Sequence, residues 1–281
     1  MITKLSEKLF LGLFSLSTAL SIVLLFSNMS EIGDTKNILS FVFLLLPVIL
    51  MISHSFIVLS PKRGIIFILI GMAVGTTMEY FGLKYGVVFG GEYVYNMSFP
   101  TIFTVPLPVV LFWPVFIYTS YSLVNSFLVW LKKSKPNYLK GNWLMIIFLV
   151  ICDSLLVTAI DLFMDPLQVV DGNWSWIGGG AYYGIPIGNF IGWFVVAFIT
   201  SGLFRSFEYF FPRNSDDVSK VIYLIPVLGY GILSIFFTAT AIRLTMTDLA
   251  IFGFIITMVP VIVSVYIYLR NYKNIKSTNN I

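Results

Sequence analysis

Cysteine and histidine each occur once in these 281 residues, as Cys152 and His54. A disulfide framework needs paired thiols, and a zinc cluster needs several sulfur or imidazole ligands, so neither is available. Charge is also scarce. Asp, Glu, Lys and Arg make up 11% of the chain, against roughly 25% in a soluble domain. That shortage excludes a soluble globular enzyme, a disordered chain and a nucleic-acid-binding domain. Apolar residues are abundant, at 58%, and mean hydropathy is +0.93. A spanning helix uses roughly 20 apolar residues, so eight would leave only short loops. The expected fold is an all-α integral membrane protein of about eight transmembrane helices in a single multi-pass domain.

Apolar runs bounded by charge, Gly or Pro predict spans at Leu9–Phe26, Ile38–Leu59, Gly64–Leu83, Val105–Leu131, Trp143–Met164, Pro186–Phe207, Val221–Ile242 and Leu249–Leu269. The first lacks a small-x-small cleavage site before Ser27 and reads as a retained helix rather than a signal peptide. The cations set the orientation. With the N-terminus inside, 14 of the 17 Lys and Arg residues fall on the cytoplasmic side, and only Lys36, Lys84 and Arg243 fall outside. That asymmetry predicts a cell-membrane protein with both termini cytoplasmic. The net charge of +4 then reports orientation, not a nucleic-acid partner. Two long outer loops follow, Lys84–Thr104 and Asp165–Ile185, rich in Gly, Tyr and Trp. Their aromatics suit an interfacial belt. Asn-x-Ser sequons at Asn28, Asn96 and Asn173 also fall outside.

Two stretches resemble each other. Gly91-Glu92-Tyr93-Val94-Tyr95 precedes Val105-Pro106-Leu107 and Trp113, as Gly172-Asn173-Trp174-Ser175-Trp176 precedes Ile185-Pro186-Ile187 and Trp193. Glu79 lies 12 residues before Gly91, and Asp161 lies 11 before Gly172. The expected repeat units are about 64–131 and 142–207, in the same orientation, related by an axis along the membrane normal. Glu79 and Asp161 then become counterparts across a shared cavity.

A carboxylate in a span costs roughly 2.5–3.5 kcal/mol even on the permissive insertion scale. Glu79, Asp153 and Asp161 are therefore the most informative residues. Asp161 and Asp165, at i and i+4, share a helix face, and Pro166 places Asp165 at the expected helix end. Gly71, Gly75, Glu79 and Gly82 fall on one face of the third span, which suits close helix packing or a groove for a thin apolar ligand. His54 reads as a packing residue and Cys152 as a small core residue. Lys84 has Asp165 or Glu92 as possible partners. Asn189, one turn into the sixth span, is placed to orient a carboxylate or water.

These residues carry a family resemblance. Gly75-Thr76-Thr77-Met78-Glu79-Tyr80-Phe81-Gly82, then Tyr85-Gly86 and Phe89-Gly90-Gly91-Glu92-Tyr93-Val94-Tyr95, form one signature. Asp161-Leu162-Phe163-Met164-Asp165-Pro166, Gly172-Asn173-Trp174-Ser175-Trp176, Tyr182-Tyr183-Gly184-Ile185-Pro186, Asn189-Phe190 and Gly192-Trp193-Phe194 form the other. Across about residues 64–205 the chain is similar to the membrane carotenoid biosynthesis proteins, a family that includes bisanhydrobacterioruberin hydratase and γ-carotene hydratase. Glu92 departs from the pattern by its charge.

The resemblance implies hydration of the terminal C=C bond of an acyclic carotenoid end group, giving a tertiary alcohol. The residues suit that chemistry. Hydration is redox-neutral, so no cofactor and no metal is expected. Protonation of the alkene asks for a carboxylic acid, and activation of water asks for a carboxylate. Aromatic faces stabilise a cation by roughly 0.5–2 kcal/mol each. Glu79 and Asp161 are the expected acid/base pair, with Asp165 supporting. Tyr93, Tyr95, Trp174, Trp176, Tyr182, Tyr183 and Asn189 are the expected substrate-binding residues. The expected partners are a carotenoid within the bilayer and membrane lipid. A carotene cyclase shares the protonation step and is the first alternative. A prenyltransferase needs two acidic clusters and basic residues nearby, which the chain lacks. A proton-coupled transporter suits a repeat with buried acids, but no span is visibly broken at its midplane.

Overall fold

A computed structural model describes residues 2–26, 38–130, 142–212 and 218–278. Lys36, Lys132, Lys133, Lys135, Lys140, Arg213 and the Asn28 sequon lie outside the described residues. The described chain folds into eight helices: α1 (Ile2–Phe26), α2 (Ile38–Val58), α3 (Pro61–Tyr85), α4 (Leu107–Trp130), α5 (Trp143–Val170), α6 (Ile187–Phe210), α7 (Lys220–Arg243) and α8 (Thr247–Thr278). Among the described residues seven are long and apolar enough to cross a membrane. The remaining one, α2, has 21 residues, and its described apolar stretch is the shorter Leu44–Val58. The chain is thus an all-α membrane protein. Pro61 opens α3, where its missing N–H costs nothing. Asn142 caps α5, its side chain accepting from the Met145 N–H at 3.2 Å.

One boundary differs from expectation. α5 does not end at Asp165 but continues through Pro166 to Val170. Proline lacks the N–H that would bond the carbonyl four residues back. That carbonyl, of Leu162, instead accepts the Tyr182 hydroxyl at 3.0 Å. The same device recurs in α7. Pro226 frees the Ile222 carbonyl, and His54 Nε2 meets it at 3.1 Å while Nδ1 meets the Tyr118 hydroxyl at 2.8 Å. His54 is therefore a buried packing residue that repairs a helix.

The glycines of α3 serve close packing rather than a ligand groove. A Cβ at Gly71 would meet Pro114 at 2.9 Å, and one at Gly75 would run into the Trp113 ring. α4 thus lies directly on α3, and Trp113 sits one turn from Glu79.

Asp153 meets a partner that the cation pattern counts only as a cytoplasmic-side charge near the end of the sixth span. Arg205 is fully buried and grips Asp153 with Nε–Oδ2 at 2.7 Å and Nη2–Oδ1 at 2.8 Å. Ser201 donates to the same carboxylate, and Arg205 Nη1 donates to Asn125 at 3.1 Å. This network ties α4, α5 and α6 together. Lys84 donates to the Tyr80 hydroxyl at 2.9 Å, not to Asp165 or Glu92.

The aromatic loops contain short strands that the helical reading did not anticipate. β1 (Tyr93–Tyr95) pairs antiparallel with β4 (Trp174–Trp176), in the register Tyr93↔Trp176, Val94↔Ser175, Tyr95↔Trp174. β2 (Thr101–Ile102) and β3 (Val105–Pro106) form a second small ladder. Alternation decides which way β1 faces. Val94 is 43% exposed while Tyr93 is buried, so both tyrosines turn toward the bundle. Gly90, at φ +77°, lies so close to Gly188 that a Cβ on it would meet the Gly188 Cα at 2.9 Å. The first loop therefore rests on the start of α6.

Candidate active site

Glu79 lies near the end of α3 and is 3% exposed. Three donors converge on it. Tyr93 and Tyr95 give their hydroxyls to Oε2 at 2.6 and 2.9 Å, and Trp113 gives its indole N–H to Oε1 at 3.2 Å. Sequence and local structure explain the convergence. The i, i+2 spacing on β1 puts both tyrosines on one face, and the absence of a side chain at Gly75 lets the indole reach down α3. Burial, and then the charge of Glu79, hold the Tyr93 and Tyr95 phenols above the ordinary tyrosine range. Both therefore remain donors at any physiological pH.

Asp161 and Asp165 form the second acidic group, on one face of α5. Both accept from Asn189 of α6, whose Nδ2 lies 3.0 Å from Asp161 Oδ2 and 2.7 Å from Asp165 Oδ2. The two carboxyl oxygens are thus within two hydrogen-bond lengths of each other. Asp161 Oδ1 is buried without a partner.

Glu79, Asp165 and Asn189 open into one cavity of about 490 Å³. Its walls are aromatic and include Tyr93, Tyr95, Trp113, Trp174, Trp176 and Trp193. The Trp113 and Trp193 rings touch, with centroids 4.2 Å apart. The cavity's other polar side chains, Gln168, Asp171, Asn173, Thr240 and Arg243, gather at its loop end, beside Met97 and Phe99. The other end runs between α2, α4 and α7 over Pro47, Phe112, Phe116 and Phe236.

The structure sorts the expected site residues. It brings Glu79, Asp165, Tyr93, Tyr95, Trp174, Trp176 and Asn189 into the cavity wall. Asp161, fully buried, lies outside that wall, one helical turn from Asp165 and tied to it through Asn189. Tyr182 is spent on the Leu162 carbonyl, and burial followed by its neighbour Tyr183 pushes its phenol up to about 12. Tyr183 stands edge-on to it and is 40% exposed. Neither tyrosine reaches the cavity. Glu92 is exposed and away from it. Sequence reasoning used Trp113 and Trp193 as markers of a repeat and missed them as wall residues. Their equal spacing from Pro106 and Pro186 was the available signal.

Asn189 is the hinge of this arrangement. Hydrogen bonds to charged groups are worth about 1.5–3 kcal/mol each. Replacing Asn189 with leucine, similar in volume but without donors, is expected to lower turnover by about tenfold or more. The protein should still be present in the membrane. Turnover equal to the native rate in a membrane preparation would show that the amide does not organise the acids.

A family model for carotenoid biosynthesis proteins matches residues 39–264. No curated protein and no solved structure matches the chain. The match spans most of the described bundle and includes both groups of acids with all of their donors. The chain therefore belongs to the carotenoid biosynthesis protein family and has its role in that biosynthesis.

Proposed function

We propose that this protein hydrates the terminal C=C bond of acyclic carotenoid end groups, giving a tertiary alcohol. The observation that carries the reading is the cavity itself. Two separately supported acids, Glu79 and Asp165, face one aromatic chamber that is apolar at one end and polar at the other. An isoprenoid end group suits the apolar side, and the polar mouth suits entry of water.

The steps follow from the residues. A proton passes from the Asp161–Asp165 pair, through Asp165, to the terminal alkene carbon that leaves a tertiary cation. Trp113, Trp174, Trp176 and Trp193 offer π-faces to that cation. A water attacks it, the C–O bond forms, and the water's proton goes to Glu79. Proton exchange with solvent resets both acids, so the net change is the addition of one water. Three donors aimed at Glu79 suit a carboxylate acting as base. Two acids sharing one amide leave room for a proton between them, which suits the acid role. This exchanges the expected places of Asp161 and Asp165, with Asp165 meeting substrate and Asp161 behind it.

The polar mouth favours hydration over cyclisation, which needs the same cation but excludes water. Expression in a host that accumulates an acyclic carotene tests this directly. Products heavier by one or two waters are expected. An unchanged mass with a shortened chromophore would replace the reading with a cyclase.

The same proposal includes the orientation in the cell membrane, with both termini cytoplasmic and the aromatic loops outside. Reporter fusions at Asn137 and Asn214 should read cytoplasmic, and those at Asn96 and Asn173 external. A cytoplasmic signal at Asn173 would reverse the orientation. We read residues 64–131 and 142–207 as a duplicated unit. In support, counterparts meet each other, β1 with β4 and Trp113 with Trp193, an arrangement that suits a two-fold axis passing between them.

A further inference from the structure

The active-site cavity is continued by a second one, of about 160 Å³, deeper in the bundle. The two share wall residues: Pro47 of α2, Phe112 and Phe116 of α4, and Leu233 and Phe236 of α7. On each of these helices the second cavity follows the first away from the aromatic loops. It reaches His54 on α2, Thr119 on α4 and Ile225 on α7, with α1 closing its side through Phe14, Thr18 and Ser21. From Arg243 at the mouth of the first cavity to Ile225 in the second, α7 covers about 27 Å at 1.5 Å per residue. That is close to the roughly 30 Å hydrocarbon core of a bilayer.

We propose that the two cavities together seat one carotenoid, its end group in the first and its polyene body running from there through the second. The proposal rests on the reading of the first cavity as the end-group site. The conjugated body is rigid and joins the end group through a short saturated link, so an end group held between Glu79 and Asp165 requires a long, nearly straight channel opening on the first cavity. Such a continuation runs down α2, α4 and α7. Its walls are mainly aliphatic and aromatic, which suits a polyene. At Gly229 the helices stand apart: a Cβ there would meet only Phe14, at 3.9 Å. The hydrogen-bonded His54–Tyr118 pair lies at the far end. The site accordingly selects long, straight, unsaturated chains, and its depth discriminates chain length independently of the acids.

The test uses the full-length protein purified in detergent, with the acyclic carotene lycopene as probe and retained polyene absorbance as readout. Gly229→Phe fills the second cavity and touches none of the acids. It is expected to reduce retained lycopene at least tenfold, while Ile235→Phe, on the exposed face of α7, leaves retention unchanged. Native-level retention in Gly229→Phe would overturn the proposal. A second arm avoids bulk in case that variant fails to fold. In a Cys152→Ser background, Met51→Cys places a thiol in the cavity wall. Lycopene should slow its alkylation by N-ethylmaleimide at least tenfold. Equal rates with and without lycopene would overturn the proposal. So would a rate already slow in carotenoid-free membranes, since a lipid acyl chain would then be the occupant. Hydration and retention fail separately. Loss of retention in Gly229→Phe without any hydrated product from the native protein would sink the hydratase reading and leave this one standing. Hydrated product with unchanged retention would do the reverse.

Discussion

Glu79→Gln is expected to lower formation of the hydrated product by at least about 10²-fold, the usual scale for losing a general acid or base. The substitution keeps the shape of the side chain and removes its ability to take a proton. It also conflicts with its surroundings. The carboxylate accepts from two tyrosine hydroxyls and one indole N–H, whereas an amide has one accepting oxygen and an NH₂ that donates. With the amide oxygen toward Trp113, both tyrosines must turn from donors into acceptors of the NH₂; with the amide reversed, Trp113 loses its acceptor. Asp165→Asn should cause a loss of similar size, because Asp165 opens into the same cavity. Combining the two should cost far less than the product of the single losses, since each alone already disables the reaction. The measurement is product per unit of membrane protein in the carotene-accumulating host. Near-native product from Glu79→Gln would remove it as the base.

Arg205→Met is expected to destabilise the protein strongly, by about 3–5 kcal/mol, without touching the cavity. The side chain is fully buried, and so is the carboxylate it grips. Methionine fills much of the volume but leaves Asp153 with the Ser201 hydroxyl as its remaining hydrogen-bond donor. It also vacates the face of Tyr121, over which the guanidinium sits at 4.6 Å from the ring centroid. At roughly 2–4 °C per kcal/mol for a chain of this size, the thermal midpoint should fall by on the order of 10 °C. Arg205→Lys should be intermediate, because an ammonium cannot reproduce the two-pronged grip. Replacing Asp153 and Arg205 together by apolar residues should cost less than Arg205→Met alone, because no uncompensated charge remains. A midpoint unchanged in Arg205→Met would show that the pair contributes nothing to the fold.

Asp153 and Asp161 illustrate how far sequence reasoning reaches. Both are acids in the same apolar helix, and both are fully buried. Scarcity of charge singles them out equally, because any ionisable group in a span must be compensated. Their fates differ because Arg205 approaches one and Asn189 the other, from a helix some 30 to 50 residues further along the chain. Tyr93 and Tyr182 make the same point among the aromatics. Each lies in a Gly-rich loop, yet one donates to a catalytic candidate and the other to a carbonyl freed by Pro166. Even the proline was readable only in part. It marked a place where the helix would lose a hydrogen bond, but not that a distant hydroxyl would restore it and let the helix continue.

The amino-acid sequence by itself determined the class of the molecule: a helical membrane protein without thiol or imidazole clusters, with a few acids gathered near two aromatic loops. Those properties follow from composition and from local periodicity, which each segment carries in its own residues. Tertiary structure alone decided which acids share a cavity, which donors they meet, and that Asp165 rather than Asp161 opens into the chamber. Contacts of that kind depend on how helices rotate and approach one another. Here those choices rest on the bare face of α3 at Gly75, the Gly90–Gly188 contact and the register of β1 against β4. Each is a relation between distant segments, and no single window of the chain contains it.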